Sequence, residues 1–387
     1  MAVVDPNDLD SKEGVFSKRS AYKKLQNRIL KNLEIHTPPL FYPKLRASRH
    51  LFSTSFFGNP LQHATLGFQY DILHLHWINW ATLNIEALSK CLRPIVWTFH
   101  DLWPMTGGCH YPGDCNRFVD HCGRCPLLGS YNDRDLSSKI FERKLEAWKN
   151  LDINVIAPSK WMAREAKESK LFEKSRIETI PNGIDDAMFN PDLREPSRAN
   201  LGLSPSTFCL FFAASGNGTE DPRKGFAYLS RAIEIFRQAL DSYADILLLV
   251  AGAFDETRPE APPFNKKFLG VIKDAESMAK AYAAADVFVA PSLEDNLPNT
   301  VLESLACGTP VVAFNTGGMP DMVIDGHNGR LAMHKNEASL AESITWILKH
   351  PHPIELRKAA RATVMKKFTL SHQADACMKL YESLLLA

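Results

Sequence analysis

The sequence predicts an α/β protein built from two doubly wound units that face each other across a cleft. Three observations carry that prediction. The 387 residues exceed what one hydrophobic core ordinarily organises. Short apolar runs alternate with longer amphipathic ones, the order of a parallel sheet covered on both faces. The unusual polar residues fall at the carboxyl ends of the apolar runs, where open α/β sheets bind ligands.

In chain order, the opening MAVVDPNDLD has neither a basic n-region nor an apolar h-region, so it does not read as a signal peptide. From Lys18 to Arg49 there are nine Lys or Arg residues against one acid, Glu34. Leu25, Ile29, Leu30 and Leu33 give this basic segment, 18–49, a helical stripe. It reads as a solvated face, or as a dock for an anionic membrane surface or a phosphate-bearing substrate. No strand is expected before residue 70, so the first sheet is read as incomplete.

Strands are expected at 71–76, 94–100 and 154–159, with helices at 81–91 and 136–149. The stretch PNGIDDAMFNPDLREPSRANLGLSP, rich in Pro, Asn and charge, marks a linker. Beyond it come strand 208–214, helix 225–240, strands 246–252 and 266–270, helix 275–284, strand 287–292, helix 298–306 and strand 310–314. The expected division is an N-terminal domain over 1–190, a C-terminal one over 191–367, and a last helix over 368–387.

An apolar content of 45%, a charged content of 23% and a net charge of +1 describe a globular protein without the basic excess of a nucleic-acid binder. No apolar run approaches membrane-spanning length. A cytoplasmic protein is expected, with the inner face of the plasma membrane as the surface its basic segment would touch. Neither G-x-G-x-x-G nor G-x-x-x-x-G-K-[ST] occurs, which argues against dinucleotide and P-loop chemistry.

Four of the eight cysteines cluster in CHYPGDCNRFVDHCGRC: Cys109, Cys115, Cys122 and Cys125. Their spacing, with one tight C-x-x-C, suits a structural zinc site. Two disulfides and four free thiols are the other readings.

The stretch PSLEDNLPNTVLESLACGTPVVAFNTGG sets acids around a short helix and follows the next strand with a glycine pair. Glu303 inside that helix could face water, or could accept hydrogen bonds from two vicinal hydroxyls such as a ribose presents. Glu294 and Asp295, in the preceding loop, would touch sugar hydroxyls. The loop SGNGTEDPRKG offers Lys224, with Arg223 beside it, as mobile positive charge for an anion. Gly317 and Gly318 can form a tight loop whose amides bind phosphate or sugar oxygen. His100, ending its strand, could hydrogen-bond a substrate hydroxyl, with Asp101 as proton acceptor or as orienting partner. In each case an exposed or purely structural role is the competing reading.

Taken with HLHWINW (74–80), WTFHDLWPMTGGCHYPGDC (97–115), APSKW and IPNGID, these motifs resemble the retaining glycosyltransferases of family 4, of GT-B fold, and within them the bacterial exopolysaccharide subgroup, colanic-acid type. The resemblance implies two Rossmann-like domains and transfer of a sugar from a UDP- or GDP-linked donor to a hydroxyl of a glycan or lipid-linked acceptor. It implies Glu303 on the donor ribose, Asp295 (one methylene shorter than the family's usual glutamate, with Glu294 beside it) and His100 on the donor sugar, and Lys224 on the diphosphate. Where many members carry an arginine, this chain has SGNG, placing Asn217 there. No cofactor beyond the nucleotide-sugar co-substrate is implied. The chain departs from the family in lacking the usual N-terminal strand and glycine-rich loop. That departure supports an alternative, a degenerate or truncated protein that binds nucleotide or a partner without catalysis. A phosphorylase or epimerase on the same fold, and an interaction protein organised by a zinc cluster, are weaker alternatives.

Overall fold

The computed structural model describes residues 2–4, 21–48, 50–61, 69–214, 221–240, 245–253 and 265–386. They form two compact units, one of Met1–Ile180 with Met378–Ala387, the other of Pro181–Cys377. Asn217 and the stretch 5–20, where a glycine-rich loop would fall, lie outside the described residues.

In unit one the strands are β1 (Ala2–Val4), β2 (Gly58–Asn59), β3 (Leu73–Leu75), β4 (Ala81–Leu83), β5 (Ile95–Thr98), β6 (Ile153–Ala157) and β7 (Arg176–Thr179). Five of them make a parallel sheet in the order β1-β3-β5-β6-β7. The central strands β3, β5 and β6 are buried at every position. That explains their unbroken apolar character: a parallel strand covered on both faces has no solvent side to alternate with.

Two expectations are corrected here. A strand does precede residue 70: β1 pairs with β3 at the sheet edge, Ala2 opposite Leu73. Its three residues are too few to show a period. The helix expected at 81–91 is instead the short strand β4, paired with β2, followed by a 3-10 turn at Ile85–Lys90. Trp80 and Ala81 take φ of 53° and 63°, left-handed values at which a right-handed helix cannot start.

The helix Leu136–Trp148 forms as expected, its first turn capped by Asp135, which accepts from the amides of Ser137 and Ser138. Its inner face meets an aromatic cluster of Trp97, Phe99, Trp103, Trp148 and Phe172. Lys144 is fully buried there, lies 3.5 Å over the Trp103 ring and donates to the carbonyls of Trp103 and Thr106. A buried ammonium is tolerated only because both carbonyls and the ring face compensate for lost water.

Unit two carries β8 (Phe208–Ala213), β9 (Ile246–Ala251), β10 (Asn265–Gly270), β11 (Val287–Ala290), β12 (Val311–Phe314) and β13 (Gly329–Ala332). They form one parallel sheet in the order β10-β9-β8-β11-β12-β13. Apolar clusters cover both faces, one around Phe211, Tyr282 and Leu302, the other around Phe212, Phe236 and Ile344. The order reverses direction at β8 and β11, the switch point at which such sheets open toward ligands.

The linker stretch is anchored by charge. Arg198 and Arg194 both hold the Asp286 carboxylate, which also accepts from the Cys209 amide at 2.8 Å. This ties helix Arg194–Leu201 to the starts of β8 and β11. The last helix, Leu370–Leu385, begins in unit two, and from Met378 its residues count with unit one. There Tyr381 meets His74 Nδ1 at 2.6 Å, and Ser383 meets Arg176 at 2.8 Å. No helix among the described residues is long and apolar enough to cross a membrane.

Removing the Asp286 carboxylate strands two arginines that are mostly buried. Asp286→Ala should cost unit two about 3 kcal/mol, read as an earlier urea transition. An unchanged midpoint would show that the network contributes nothing net.

Candidate functional site

Three loops meet at the carboxyl ends of β8, β11 and β12. The first is the turn Pro222–Lys224, capped by Asp221, whose side chain accepts from the Arg223 amide. Gly225 follows at φ 70°, and a Cβ there would stand 1.9 Å from the Pro291 carbonyl oxygen, so only glycine lets this loop sit on the next one. The second loop, 291–297, places Asp295 inward, 6% exposed. Asp295 Oδ2 accepts from Lys224 Nζ at 2.8 Å and from Arg223 Nη1 at 3.4 Å, and Arg223 also donates to the Glu294 carbonyl at 3.1 Å.

The third loop is Thr316–Gly318. Gly317 has φ 54°, and a Cβ on it would lie 2.0 Å from the Asp295 carbonyl oxygen. The Gly318 amide donates to that same carbonyl at 3.1 Å. The glycine pair therefore packs against the Asp295 loop. The Gly318 amide is spent on it and is not an open donor.

Burial pushes the Asp295 carboxyl upward, but Lys224 and Arg223 outweigh that and hold it below its usual range. Glu303 sits on the buried helix Asn299–Ala306 and responds in the opposite sense: burial raises its carboxyl, and the Tyr282 hydroxyl beneath it offsets this only in part. The Tyr282 hydroxyl is fully buried, makes no hydrogen bond of normal geometry among the described residues, and lies near enough to the Glu303 carboxyl for the two groups to perturb each other. The start of this helix is pinned by Asn182 of the IPNGID motif, which donates to Asn299 Oδ1 at 3.0 Å and to the Leu297 carbonyl at 3.4 Å. Sequence reasoning placed Glu303, Asp295 and Lys224 but missed Tyr282 and Asn182. Tyr282 is hidden within an alanine-rich helical run, and Asn182 within a polar turn.

In unit one, histidines gather at the ends of β3 and β5. His74 is buried, bonded through Nε2 to Thr98 Oγ1 at 2.8 Å and through Nδ1 to Tyr381. Desolvation, with His76 and His100 nearby, lowers it to about 3, so it stays neutral. His76 Nδ1 and His100 Nε2 are 2.9 Å apart, a contact in which one ring must be the donor and the other the acceptor. His100 is exposed just beyond the carboxyl end of the central strand β5, where a ligand could reach it.

Asp101 is placed differently from its neighbour. It is buried, and its Oδ2 accepts from Trp77 Nε1 at 3.0 Å and meets His110 Nδ1 at 2.7 Å. Its Oδ1 accepts from the Trp103 amide at 2.9 Å. Burial raises its carboxyl, but His110 and the bonds from Trp103 and Trp77 bring it below the ordinary value. His110 in turn meets Ser53 Oγ at 2.9 Å. With these partners filling its acceptor positions, Asp101 acts as the hub that orients the loops around His100.

The cysteine loop is corrected. All eight cysteines are free, and among the described residues no group of three or more His, Cys, Asp or Glu is placed to hold a metal ion. Among the described residues Cys109, Cys115, Cys122 and Cys125 thus show neither the arrangement of the expected zinc site nor disulfides. Cys122 and Cys125 are buried with Phe118 and Leu128, and Cys122 Sγ accepts from the Gly107 amide at 3.2 Å. Desolvation pushes the Cys122 thiol up to about 12 and Cys109 well above its usual value, so both are neutral thiols. Hydrogen bonds hold the loop instead, notably Asp135 accepting from the Cys125 amide at 2.8 Å.

Comparison with known proteins gives a consistent picture. Residues 210–350 match the family described as Glycosyl transferases group 1, and residues 15–187 match Glycosyltransferase Family 4. The chain is 28% identical over 319 residues to a phosphatidyl-myo-inositol mannosyltransferase of Mycobacterium leprae, covering 81% of this chain and 74% of that protein. It is 28% identical over 223 residues to a D-inositol 3-phosphate glycosyltransferase of Segniliparus rotundus, covering 55% of this chain and 48% of that one. The alignments thus span about half to three quarters of these relatives. These relatives do not point specifically to the exopolysaccharide subgroup expected from the sequence. The structure of Anabaena Alr3699/HepE in complex with UDP-glucose superposes with a TM-score of 0.59 at 18% identity, covering 85% of each chain, which shows a shared GT-B fold of two Rossmann-like units.

Two expected outcomes follow from the charge pattern. Asp295 has a folded-state value below its unfolded 3.8, so its contribution is complete above that value and is lost as pH falls through the folded one. Asp295→Asn should lower stability at pH 7 by about 3 kcal/mol, and chemical denaturation should show the deficit shrinking below pH 3.8. A deficit independent of pH would rule out the charged pair as its source. Tyr282→Phe should raise the Glu303 titration midpoint in carboxyl-carbon NMR, since it removes the group that lowers it. An unmoved midpoint would separate the two side chains.

Proposed function

The chain is a GT-B-fold glycosyltransferase related to groups 1 and 4, and on that premise we propose that it moves a sugar, with retention of anomeric configuration, from a UDP- or GDP-linked donor to a hydroxyl of a glycan or lipid-linked acceptor. The observation that carries this reading is the junction of Lys224, Arg223, Asp295 and Gly317 at the carboxyl ends of β8, β11 and β12, with the half-buried Glu303 on the helix that follows the Asp295 loop. A mobile ammonium and a guanidinium held on a buried carboxylate suit a leaving diphosphate, whose charge grows as the glycosidic bond breaks. The UDP-glucose bound by the Anabaena protein of the same fold supports the donor class.

On this reading Glu303 accepts hydrogen bonds from the two ribose hydroxyls, steadied by Tyr282. Lys224 turns from Asp295 toward the diphosphate, while Arg223 keeps the Asp295 loop in place. Glu294, on the same loop, faces the donor sugar, and Gly317 leaves its backbone close enough to contact it. In unit one His100 hydrogen-bonds a sugar hydroxyl, with its tautomer set by His76. Asp101 positions that strand end through Trp77 and His110 and takes no proton. Asn217 is assigned to the phosphate loop by the family resemblance. The relatives act, by their names, on inositol-based acceptors. A phosphate- or lipid-bearing acceptor therefore fits at least as well as a growing cell-surface polysaccharide. Work at the cytoplasmic face of a membrane is consistent with the basic segment.

Calorimetry of the purified chain against UDP, GDP and their sugar conjugates tests the proposal. One nucleotide class should bind, and Lys224→Ala and Glu303→Gln should each weaken it by about 1.5–3 kcal/mol, the worth of a charge-assisted bond. A folded chain that binds none, or variants that bind as tightly as wild type, would contradict the site. Tight binding without sugar transfer would favour the degenerate, non-catalytic alternative.

A further inference from the structure

The basic segment has no part in the site described above. It forms helices Ala21–Phe41 and Pro43–Ser48, and the latter brings Lys44 to a cavity of about 640 Å³ in unit one, whose wall also holds His50, Asp114, Arg117 and Arg124. The volume lies within the range of small-ligand sites. Three permanent cations and an imidazole line it against a single carboxylate.

Of these cations Arg124 is paired with Asp133 at 2.6 Å. Lys44 and Arg117 have no ion pair among the described residues. Both are exposed, so an anion entering the cavity can reach the two charges without first breaking an ion pair.

The cavity is also formed by a constrained backbone. Gly129, at φ 65°, would place a Cβ 3.1 Å from the Lys44 side chain, so the lysine stem lies against bare backbone. Arg124 itself sits at φ 44°, and the preceding Gly123, at φ 150°, would bring a Cβ within 2.3 Å of the Asp133 carbonyl oxygen. A non-glycine residue in the left-handed region costs free energy and persists where the surroundings over-determine it. Here it holds Arg124 at the cavity wall, its guanidinium on Asp133. The loop that carries Arg117 and Arg124 leaves the carboxyl end of β5, the same strand end that carries His100.

We propose that this cavity is a second anion site, separate from the donor junction, that takes a phosphate mono- or diester. Arg117 supplies a planar fork, Lys44 a point charge, and His50 a further donor. The phosphate belongs either to a soluble phosphorylated ligand or to a lipid headgroup, and the two are told apart by experiment.

Inorganic phosphate is titrated into the full chain at low salt while the His50 imidazole resonance, assigned with His50→Gln, is followed by NMR. This readout is local, so phosphate binding at Lys224 does not enter it. A saturable shift is expected, with the affinity at least tenfold weaker in Lys44→Ala/Arg117→Ala. Arg117→Glu, a change at an exposed position, serves as a second variant should the double change unfold. In parallel, sedimentation with phosphatidylglycerol and phosphatidylcholine vesicles is compared. Phosphate binding without vesicle binding supports a soluble ligand. Sedimentation with the anionic vesicles alone, lost in the variants, supports a headgroup. The proposal is overturned if the folded wild type binds neither probe, or if the variants bind both as wild type does.

Discussion

The arrangement in unit two depends on one buried carboxylate. Asp295 is 6% exposed and survives as an anion because Lys224 and Arg223 sit against it. A charge so placed must be fully partnered or neutralised. Its carbonyl oxygen is equally committed, to the Gly318 amide and to the close approach of Gly317. One residue thus joins three loops that leave three strands. The glycines are needed there because side chains would collide with the backbone they touch.

The same economy governs unit one, with a different chemistry. Asp101 gathers Trp77, Trp103 and His110, and His110 extends the chain to Ser53. This web fixes the end of β5 and leaves His100 projecting beside it. Lys144 supports the following turn from within the aromatic core, through the Trp103 and Thr106 carbonyls. Rigid buried polar groups surround an exposed imidazole, the usual relation between a scaffold and a residue that meets a ligand.

Much of this was legible in the sequence. The central strands announced themselves because strands covered on both faces are apolar throughout. Glu303, Asp295 and Lys224 stood out as charges beside such runs. What was hidden has particular causes. β1 has three residues, and a period cannot be read from three. The stretch 81–91 looks helical by composition, but positive φ at Trp80 and Ala81 diverts it. The cysteine spacing suggested zinc because spacing does not say how the fold places the four side chains relative to one another. The place of Asp101 as an internal hub was hidden because its partners, Trp77 and His110, lie 24 and 9 residues away in sequence. Tyr282 needed the fold to bring helix Ala275–Ala284 beneath helix Asn299–Ala306.

The central claim is that the Asp295 junction and Glu303 form the seat of a nucleotide-sugar. A crystal structure of the chain with its preferred nucleoside diphosphate bound tests it most directly. The account predicts the ribose hydroxyls on the Glu303 carboxylate and the diphosphate within hydrogen-bond distance of Lys224 Nζ, with Asp295 still held by Arg223. A nucleotide bound elsewhere, or Lys224 left on Asp295 with the diphosphate out of its reach, would contradict it.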